Sequence, residues 1–276
     1  MKDKEEKAGM VPEPRLLFFD IDGTLFDDSH RLPHSVTPAL KKARENGCLL
    51  FINTGRTLCN MDSRLRDIPL DGWVMGCGAR VIFRGTTLKA VEYPPEDSLK
   101  IRKTVLSYGI PAVFECDTGM YFDPAGASWP DIEHFRAFSD RMGLTRLVSE
   151  EDREFRAVKM FAFSPEKARI QEMLACLAAE GYPYEAIDRG NSGWEVVPAG
   201  CSKAGGIDLI CRAAGASLES CYAFGDSNND RAMLEHVPHS VAMGNAPEEL
   251  KRVCRYVAER PERDGIAGAL EMLGLI

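Results

Sequence analysis

Short apolar runs alternate with amphipathic stretches over the first part of the chain. Leu16–Phe19, residues 48–52 and Gly72–Met75 are apolar runs of strand length. A helix bracketed by Thr37 and Gly47 separates the first two runs, and a second helix is expected before the third. Because runs that are apolar throughout are typical of strands buried on both faces, this order predicts β-α-β-α-β in a parallel sheet.

The same alternation returns in the last third of the chain. Helices are predicted at Lys203–Ala214, 230–236, 247–253 and 266–273, and strands at 221–224, 240–243 and 255–257. Strands that alternate with helices are typical of an open sheet covered on both faces. We therefore expect the two ends of the chain, residues 1–83 and 189–276, to build one doubly wound α/β core.

The pattern is different between those two ends. Helices are predicted from Pro94 to Tyr108, after Pro130 and at 166–180, with short strands at 112–115, 120–122, 158–163 and near 184–187. A segment of this length can bury a small core of its own. Residues 84–188 are therefore predicted to form an α+β domain inserted into the first.

Composition and charge narrow the class of protein. The 276 residues are 45% hydrophobic and 28% charged, which is the balance of a soluble globular protein. The formal net charge of −8 disfavours nucleic acid and anionic membrane surfaces as partners. No run reaches the ~20 apolar residues that span a bilayer, and the charged first residues predict a frayed tail rather than a signal peptide.

The nine cysteines predict neither a disulfide framework nor a zinc site. Their number is odd, they are widely spread and no CxxC pair occurs. His236 and His239 have no acidic or thiol motif around them and are expected at the surface or at a helix end. Reduced thiols among apolar neighbours indicate a cytoplasmic protein.

The first concentration of polar chemistry is Asp20-Ile21-Asp22-Gly23-Thr24, directly after an apolar strand. In open α/β sheets, ligands bind beyond the carboxyl ends of the strands. Alternation along an extended chain puts Asp20 and Asp22 on the same side. Two close carboxylates need a cation or a proton, and they can serve as nucleophile and as proton donor and acceptor. A turn with an Asx hydrogen bond is the alternative.

Residues 225–230, Gly-Asp-Ser-Asn-Asn-Asp, follow another apolar strand. Asp226 and Asp230 supply hard oxygen ligands, which suit Mg²⁺ rather than zinc. The alternative is an acidic loop in which Asn229 caps the next helix. That alternative weakens because the other carboxylate pair is expected at the same edge of the sheet.

Thr54, in an Asn-Thr-Gly-Arg loop, and Lys203, before a helix, complete the set. A hydroxyl and an ammonium that point at one oxyanion are what a transferring phosphoryl group needs. Taken alone, Thr54 could be a helix cap and Lys203 a solvated lysine.

In order along the chain, these pieces resemble the four motifs of the haloacid dehalogenase (HAD) superfamily: Asp20-x-Asp22-Gly-Thr, Thr54-Gly-Arg, Lys203 and Gly-Asp226-x-x-Asn229-Asp230. The resemblance covers nearly the whole chain, with further similarity at 194–198, 243–246 and 264–266. The insertion resembles the α+β cap of the Cof-type phosphatases. The fold implied is a Rossmann-like HAD core with a C2-type cap that sets substrate specificity.

The resemblance implies catalytic roles for the matching residues. Asp20 would attack phosphorus and form an aspartyl-phosphate. Asp22 would protonate the leaving oxygen and then deprotonate the attacking water. Thr54 and Lys203 would bind the phosphoryl oxygens.

The resemblance also implies binding roles. Mg²⁺ would be held by Asp20, by the backbone carbonyl of Asp22 and by Asp226, while Asp230 would orient the metal shell. Gly55, Arg56 and Asn229 would contact the substrate.

The function implied is a Mg²⁺-dependent phosphomonoesterase for a small phosphorylated metabolite, with a sugar phosphate as the default substrate. An acid at the position of Asp22 fits the hydrolytic phosphatases and the mutases of the superfamily. A phosphosugar mutase and a non-catalytic sugar-phosphate sensor are the alternatives, and the intact motifs argue against the sensor. A monomer or a weak homodimer is expected.

One departure from the pattern is Cys77, which stands where Cof-type relatives commonly have an asparagine that faces the cap and the substrate. A cysteine cannot make the hydrogen bonds of an amide, so the substrate specificity of those relatives is not expected to carry over to this chain. Four residues are candidates for the inner face of the cap, with no role assigned to any of them: Trp129, Tyr184, Asp188 and Arg189.

Overall fold

The computed structural model describes residues 13–124 and 130–276, without the side chain of Asp131, and its strands form two sheets. The first sheet begins with β1 (Leu16–Phe19), β2 (Leu49–Asn53), β3 (Gly72–Met75), β4 (Arg80–Phe83) and β5 (Thr86–Ala90). The second sheet consists of β6 (Ala112–Glu115), β7 (Met120–Phe122), β8 (Thr145–Leu147), β9 (Lys159–Phe163), β10 (Tyr184–Gly190) and β11 (Gly193–Pro198). The chain then returns to the first sheet with β12 (Cys221–Gly225), β13 (His239–Ala242) and β14 (Tyr256–Val257).

The first sheet has the spatial order β14-β13-β12-β1-β2-β3-β4-β5. Its strands from β14 to β3 are parallel, and β4 and β5 add an antiparallel edge. The strand order reverses at β1, which lies between β2 and β12. This reversal is a topological switch point, where open sheets of this kind bind ligands at the carboxyl ends of the strands.

The two faces of the first sheet are covered by different helices. The helices of the described residues are α1 (Val36–Glu45), α2 (Pro95–Ser107), α3 (Pro130–Arg141), α4 (Lys167–Ala179), α5 (Lys203–Ala214), α6 (Arg231–His236), α7 (Glu248–Lys251) and α8 (Gly265–Met272). In β1, Leu17 and Phe19 are buried with α1 and α8, whereas Leu16 and Phe18 are buried with α5 and α6. Since successive side chains of a strand point to opposite faces, the all-apolar run is explained, and the doubly wound prediction is confirmed.

The second sheet has the order β10-β11-β9-β6-β7-β8 and also has two different faces. One face is buried by α2 and α4 around Phe114 and Met160. The other face packs in part on α3, where Val113 and Phe122 lie with Ile132. This second face is the one that looks toward the carboxyl edge of the first sheet, because Met120 and Phe161 on it line a cavity shared with that edge.

Both changes from one sheet to the other lie further along the chain than the predicted domain boundaries, 83/84 and 188/189. A tight turn at Arg84-Gly85, both with positive φ, returns β5 to pair with β4, so the first sheet runs to Ala90. β11 pairs with both β10 and β9, so the second sheet runs to Pro198. The sequence pattern missed the first extension because β5 is largely exposed and shows no apolar run.

The helix predicted between β2 and β3 is replaced by two short 3₁₀ turns, Leu58–Asn60 and Ser63–Asp67. The guanidinium of Arg56 donates to the backbone carbonyl of Asn60 at 3.0 Å. The carboxylate of Asp62 accepts from the backbone N–H of Arg64 at 2.9 Å. The side chains of Arg56 and Asp62 therefore form hydrogen bonds with backbone groups that a continuous helix would pair with one another.

None of the helices in the described ranges combines the length and the apolarity that crossing a bilayer requires.

Candidate active site

Side chains from three strand ends and one helix start converge beside β1. Asp20 follows β1, Thr54 follows β2 and Asp226 follows β12, and these three strands are neighbours. Lys203 is the first residue of α5. The second sheet faces this edge, and between the two lies a cavity of about 300 Å³. The structure thus brings together residues from all four sequence motifs.

The ammonium of Lys203 joins two carboxylates inside the protein. Its Nζ donates to Asp20 Oδ1 at 2.7 Å and to Asp230 Oδ1 at 2.6 Å. Burial and the nearby charge of Asp230 raise the pKa of Asp20 to about 7, against the lowering effect of Lys203. Burial of a charge is costly unless it is paired, so Lys203 is a structural counter-ion as well as a candidate phosphoryl ligand.

Three carboxylates beside Lys203 form a group that could hold a metal ion. Ligand oxygens of Asp20, Asp226 and Asp230 all lie within 4.8 Å of one another. Burial, followed by the charges of Asp230 and Asp20, raises the pKa of Asp226 to about 8. Clustered carboxylates of this kind are stabilised by a hard divalent cation, so the donor set fits Mg²⁺.

The carboxylate of Asp230 is already occupied by the protein. Its Oδ2 accepts from the backbone N–H groups of Asp226 and Ser227, each at 2.9 Å, while Oδ1 faces Lys203. Asp230 therefore orients the loop that presents Asp226.

Gly23 makes room for the carboxylate of Asp226. Its φ is +81°, and a Cβ at this position would lie 2.3 Å from Asp226 Oδ2. Thr24 Oγ1 donates to the other oxygen, Oδ1, at 2.9 Å. The turn after β1 therefore holds Asp226 through Thr24 and lets its carboxylate pack closely against Gly23.

Arg56 holds Asp22 with both arms of its guanidinium. Nε donates to Asp22 Oδ2 at 2.8 Å and a terminal nitrogen donates to Oδ1 at 2.6 Å. His30 Nδ1 lies 3.5 Å from the same Oδ1. Burial acts to raise the pKa of Asp22, but the hydrogen bonds and charge of Arg56 outweigh it and the pKa is lowered. Arg56, predicted to contact the substrate, is here a partner of Asp22.

Thr54, Gly55 and Asn229 also line the cavity. Thr54 is buried, and its hydroxyl oxygen accepts from the backbone N–H of Arg56 at 3.2 Å. Asn229 donates from Nδ2 to Glu195 Oε2 at 3.1 Å. A Cβ on Gly55 would lie 2.5 Å from Glu195 Oε1, so the glycine permits this close approach.

Glu195 on β11 is the centre of a buried charge network that the sequence did not reveal. Lys159 on β9 donates to it at 2.7 Å and also lies 2.9 Å from Glu115 on β6. Arg189 lies 3.4 Å from Oε2 of Glu195. Burial acts to raise the pKa of Glu195, but Lys159 and Arg189 outweigh it and hold the pKa well below its usual range. A charged residue inside each of two apolar strand runs was the available signal.

Cys77 occupies the position where an asparagine was expected. It is fully buried with φ at +52°, and its Sγ lies 3.3 Å from Glu195 Oε1. Burial raises the pKa of this thiol well above its usual value. Cys77 therefore contacts the charge network, and it is not among the residues that line the cavity.

Of the four residues considered for the inner face of the cap, one lines the cavity. Arg189 lines the cavity, whereas Tyr184 packs against Tyr93 inside the cap and Asp188 accepts from the backbone N–H of Gly190. Trp129 lies outside the described residues. The cap side of the cavity is lined instead by residues that the sequence did not single out: Glu115, Met120, Phe135, Phe138, Lys159 and Phe161.

Comparisons with known proteins agree with this arrangement. Residues 17–270 match the family model of the haloacid dehalogenase-like hydrolases. A Bacillus subtilis (strain 168) protein named as a phosphatase is 28% identical over 270 residues, covering 96% of this chain and 99% of the relative. An HMP-PP phosphatase of Enterobacter sp. (strain 638) is 29% identical over 242 residues, covering 86% of each chain.

Among solved structures, one described as a HAD subclass IIB sugar phosphatase superimposes with a TM-score of 0.78. It is 30% identical, and the match covers 95% of this chain and all of that one. A phosphatase from Bacteroides thetaiotaomicron superimposes with a TM-score of 0.80 at 25% identity, over 98% of this chain and all of the other.

Proposed function

This chain belongs to the haloacid dehalogenase-like hydrolases, and on that premise we propose that it is a Mg²⁺-dependent phosphomonoesterase of a small phosphorylated metabolite. The observation that carries the proposal is the convergence of Asp20, Asp22, Lys203 and Asp226 at the switch point of the first sheet. This set contains a nucleophile, a proton carrier, a phosphoryl-binding cation and a metal ligand, which are the parts that phosphoryl transfer needs.

Asp20 is the nucleophile. One of its carboxylate oxygens forms a bond to phosphorus as the bond from phosphorus to the leaving oxygen breaks. Lys203 Nζ, 2.7 Å from Asp20 Oδ1, holds the carboxylate in place and offsets its repulsion of an anionic substrate. Water then attacks phosphorus, the aspartyl-phosphate bond breaks, and Asp20 is restored.

Asp22 carries the proton in both halves of the reaction. It donates a proton to the leaving oxygen in the first half and accepts one from the attacking water in the second. Its place two residues after Asp20, on the same cavity, suits both transfers. Thr54 and Gly55, which line the same cavity, bind the phosphoryl oxygens.

Mg²⁺ would be held by Asp20 and Asp226 together with the backbone carbonyl of Asp22, with Asp230 orienting the loop that carries Asp226. When bound, the ion supplies positive charge to the phosphoryl oxygens and relieves the repulsion among these carboxylates. The raised pKa values of Asp20 and Asp226, and the position of their ligand oxygens and that of Asp230 within 4.8 Å of one another, support this assignment.

The remaining expectations are part of the same proposal. Nine cysteines without a disulfide, all within the described residues, support a reducing compartment such as the cytoplasm. The net charge of −8 supports a small molecule rather than nucleic acid as partner, and we propose that the enzyme acts as a monomer or weak homodimer.

The test is release of inorganic phosphate from a panel of phosphorylated sugars, nucleotides and cofactors, with Mg²⁺ or with EDTA. We expect release that requires Mg²⁺ and disappears in Asp20→Asn, whose folding is checked by circular dichroism. Asp28→Asn is the matched control, because Asp28 is exposed and pairs with Arg260. Normal turnover by purified Asp20→Asn, or by the parent in EDTA, would contradict the proposal.

A further inference from the structure

Two cysteine side chains meet beneath the connection between α5 and β12. The Sγ atoms of Cys211 and Cys221 lie 3.3 Å apart, a distance at which one thiol hydrogen-bonds to the other. Cys211 lies in the last turn of α5, and Cys221 is the first residue of β12. Both belong to the apolar core on one face of the first sheet, together with Ile207 and Ile210. Neither cysteine lines the cavity of the candidate active site.

The backbone on each side of this thiol pair is fixed by hydrogen bonds. The carbonyl of Cys211 accepts from the N–H groups of Gly215 and Ala216, and Gly215 ends the helix with φ at +66°. Cys221 pairs with Leu16 in the first sheet. The two thiols are therefore held together by the fold, and groups held in contact react with each other far faster than with free partners in solution.

The two thiols differ in exposure and in acidity. Cys211 is 6% exposed, whereas Cys221 has no exposed surface. A hydrogen bond from the S–H of Cys221 lowers the pKa of Cys211, against the raising effect of burial. The same contact, together with burial, raises the pKa of Cys221 well above its usual value. Since the thiolate is the reactive form of a cysteine, Cys211 is the thiol suited to attack and Cys221 the thiol suited to follow.

We propose that Cys211 and Cys221 form a modification site that hydrogen peroxide converts from a dithiol to a disulfide. The Cys211 thiolate attacks one peroxide oxygen, the O–O bond breaks, and the departing hydroxide takes up a proton to become water. This leaves a sulfenic acid on Cys211. The Cys221 sulfur then loses its proton and attacks the Cys211 sulfur, the S–O bond breaks, and the released hydroxide takes up that proton. The two sulfurs lose two electrons in all, and the peroxide becomes two waters.

The new bond joins two elements that carry candidate active-site residues at their other ends. α5 begins with Lys203, and Asp226 directly follows β12. Oxidation would thus tie these elements together without touching the cavity, and a dithiol reductant would release them. The proposal does not depend on the reaction that the cavity performs.

The test is peptide mapping of the full chain after treatment with hydrogen peroxide, with free thiols blocked before digestion. Trypsin cleaves after Lys203, Arg212 and Arg231, so the two cysteines fall in separate peptides, 204–212 and 213–231, with one cysteine in each. We expect these peptides to be joined, at the sum of their masses less two hydrogens, and to separate again in dithiothreitol. Absence of the joined peptide from the treated protein would overturn the proposal.

Cys221→Ser tests the order of the two steps, with folding checked by circular dichroism. Without the second thiol the sulfenic acid on Cys211 should persist, so its dimedone adduct should be at least about tenfold more abundant than in the parent. Cys211→Ser should give no adduct on Cys221. An adduct on Cys221 and none on Cys211 would contradict the proposed sequence of attack.

Cys176→Ser is the matched control, because Cys176 lies on α4 of the cap and its Sγ contacts Glu180 at 3.8 Å. This variant should form the joined peptide as the parent does. Loss of the joined peptide in Cys176→Ser would show that the bond arises by exchange through other thiols. A bond from Cys221 to Cys254, which packs against the same apolar core, would likewise overturn the assignment.

Discussion

At the scale of single residues, Arg56 lowers the pKa of Asp22 against the opposing effect of burial. Its two hydrogen bonds, at 2.8 and 2.6 Å, stabilise the carboxylate over the protonated form. While both hydrogen bonds from Arg56 are formed, Asp22 is ionised and is suited to accept a proton from water. In the proposed mechanism, donation to a leaving group requires that Asp22 first hold a proton, so Arg56 would give up part of its contact during the first half-reaction.

Asp22→Asn is expected to lower kcat for alkyl phosphates by about 100- to 10,000-fold, because it removes a positioned proton donor and acceptor. With p-nitrophenyl phosphate, whose leaving group needs no proton, the first half-reaction should be spared. Stopped-flow absorbance should then show a burst of nitrophenolate followed by slow turnover.

The burst is the discriminating signal for Asp22. Turnover of alkyl phosphates within about twofold of the parent would show that Asp22 is not the proton carrier. Asp28→Asn again serves as the control, since it also removes one carboxylate near the site without touching the cavity.

The sequence predicted the residues that follow strands and missed those that lie within them. Asp20, Thr54 and Asp226 each stand directly after an apolar run, so their strand ends could be located and their edge inferred. Glu195 and Lys159 lie inside strands, and their partners come from separate parts of the chain. A pairing of that kind depends on sheet order, which the local pattern does not contain.

At the scale of elements, the turn after β1 packs against the loop after β12. Gly23 adopts positive φ, its N–H donates to Phe26 O at 2.9 Å, and its carbonyl accepts from Asn245 Nδ2 at 2.9 Å. Two hydrogen bonds therefore fix the turn, and the carboxylate of Asp226 packs against Gly23. A side chain at this point would displace the carboxylate.

Gly23→Ala is expected to raise the Mg²⁺ concentration needed for half-maximal activity by at least about tenfold. A Cβ would lie 2.3 Å from Asp226 Oδ2, so the carboxylate must move. The measurement is a Mg²⁺ titration of phosphate release.

Gly85→Ala is the matched control for Gly23→Ala. Gly85 has nearly the same φ, +80° against +81°, and no atom within 4 Å of the added Cβ. Both variants bear the backbone strain of about 1–2 kcal/mol, and only Gly23→Ala has the clash. An equal shift in the two titrations would contradict the role given to Gly23.

Element prediction succeeded where burial and periodicity agreed. Lys203–Ala214 was predicted with the bounds that the structure shows, and in the structure Ser202 caps this helix and Gly215 ends it. The 3₁₀ turns after Arg56 were missed because their form depends on the contact of Arg56 with Asn60. The hairpin of β4 and β5 was missed because its outer strand is largely exposed.

At the scale of the molecule, Glu195 connects the two sheets. It lies on the second sheet and contacts Lys159 there, and it also contacts Asn229 and Cys77 beside the first sheet. These contacts join the second sheet to residues beside the carboxyl edge of the first sheet. Removal of one buried charge from such a network leaves its partners undercompensated.

Glu195→Gln is expected to lower the free energy of unfolding by about 1–3 kcal/mol at pH 7, since Lys159 keeps Glu115 while Arg189 loses its partner. The measurement is urea denaturation of the variant and the parent. Glu172→Gln, an exposed substitution on α4, should change stability by less than about 0.5 kcal/mol.

The pH dependence of this difference has a defined sign. Because the folded protein holds the pKa of Glu195 below its ordinary value of 4.5, ionisation of Glu195 stabilises the fold. That contribution is complete above about pH 4.5 and is lost as the pH falls below it. The difference between parent and Glu195→Gln should therefore be constant from about pH 6 to pH 8 and shrink in acid; a difference that grows in acid would contradict it.

The position of β1 also has a consequence for the order in which the fold can form. Leu16 of β1 pairs with Cys221 of β12, so about 200 residues, including the whole second sheet, are synthesised between the two partners. At roughly 5–20 residues per second, the ribosome needs about 10–40 s to make them. During that time one edge of β1 has no partner strand, so its backbone N–H and C=O groups are open to pairing with other chains. The length of the inserted segment thus sets how long β1 waits, during synthesis, for the strand that pairs with this edge.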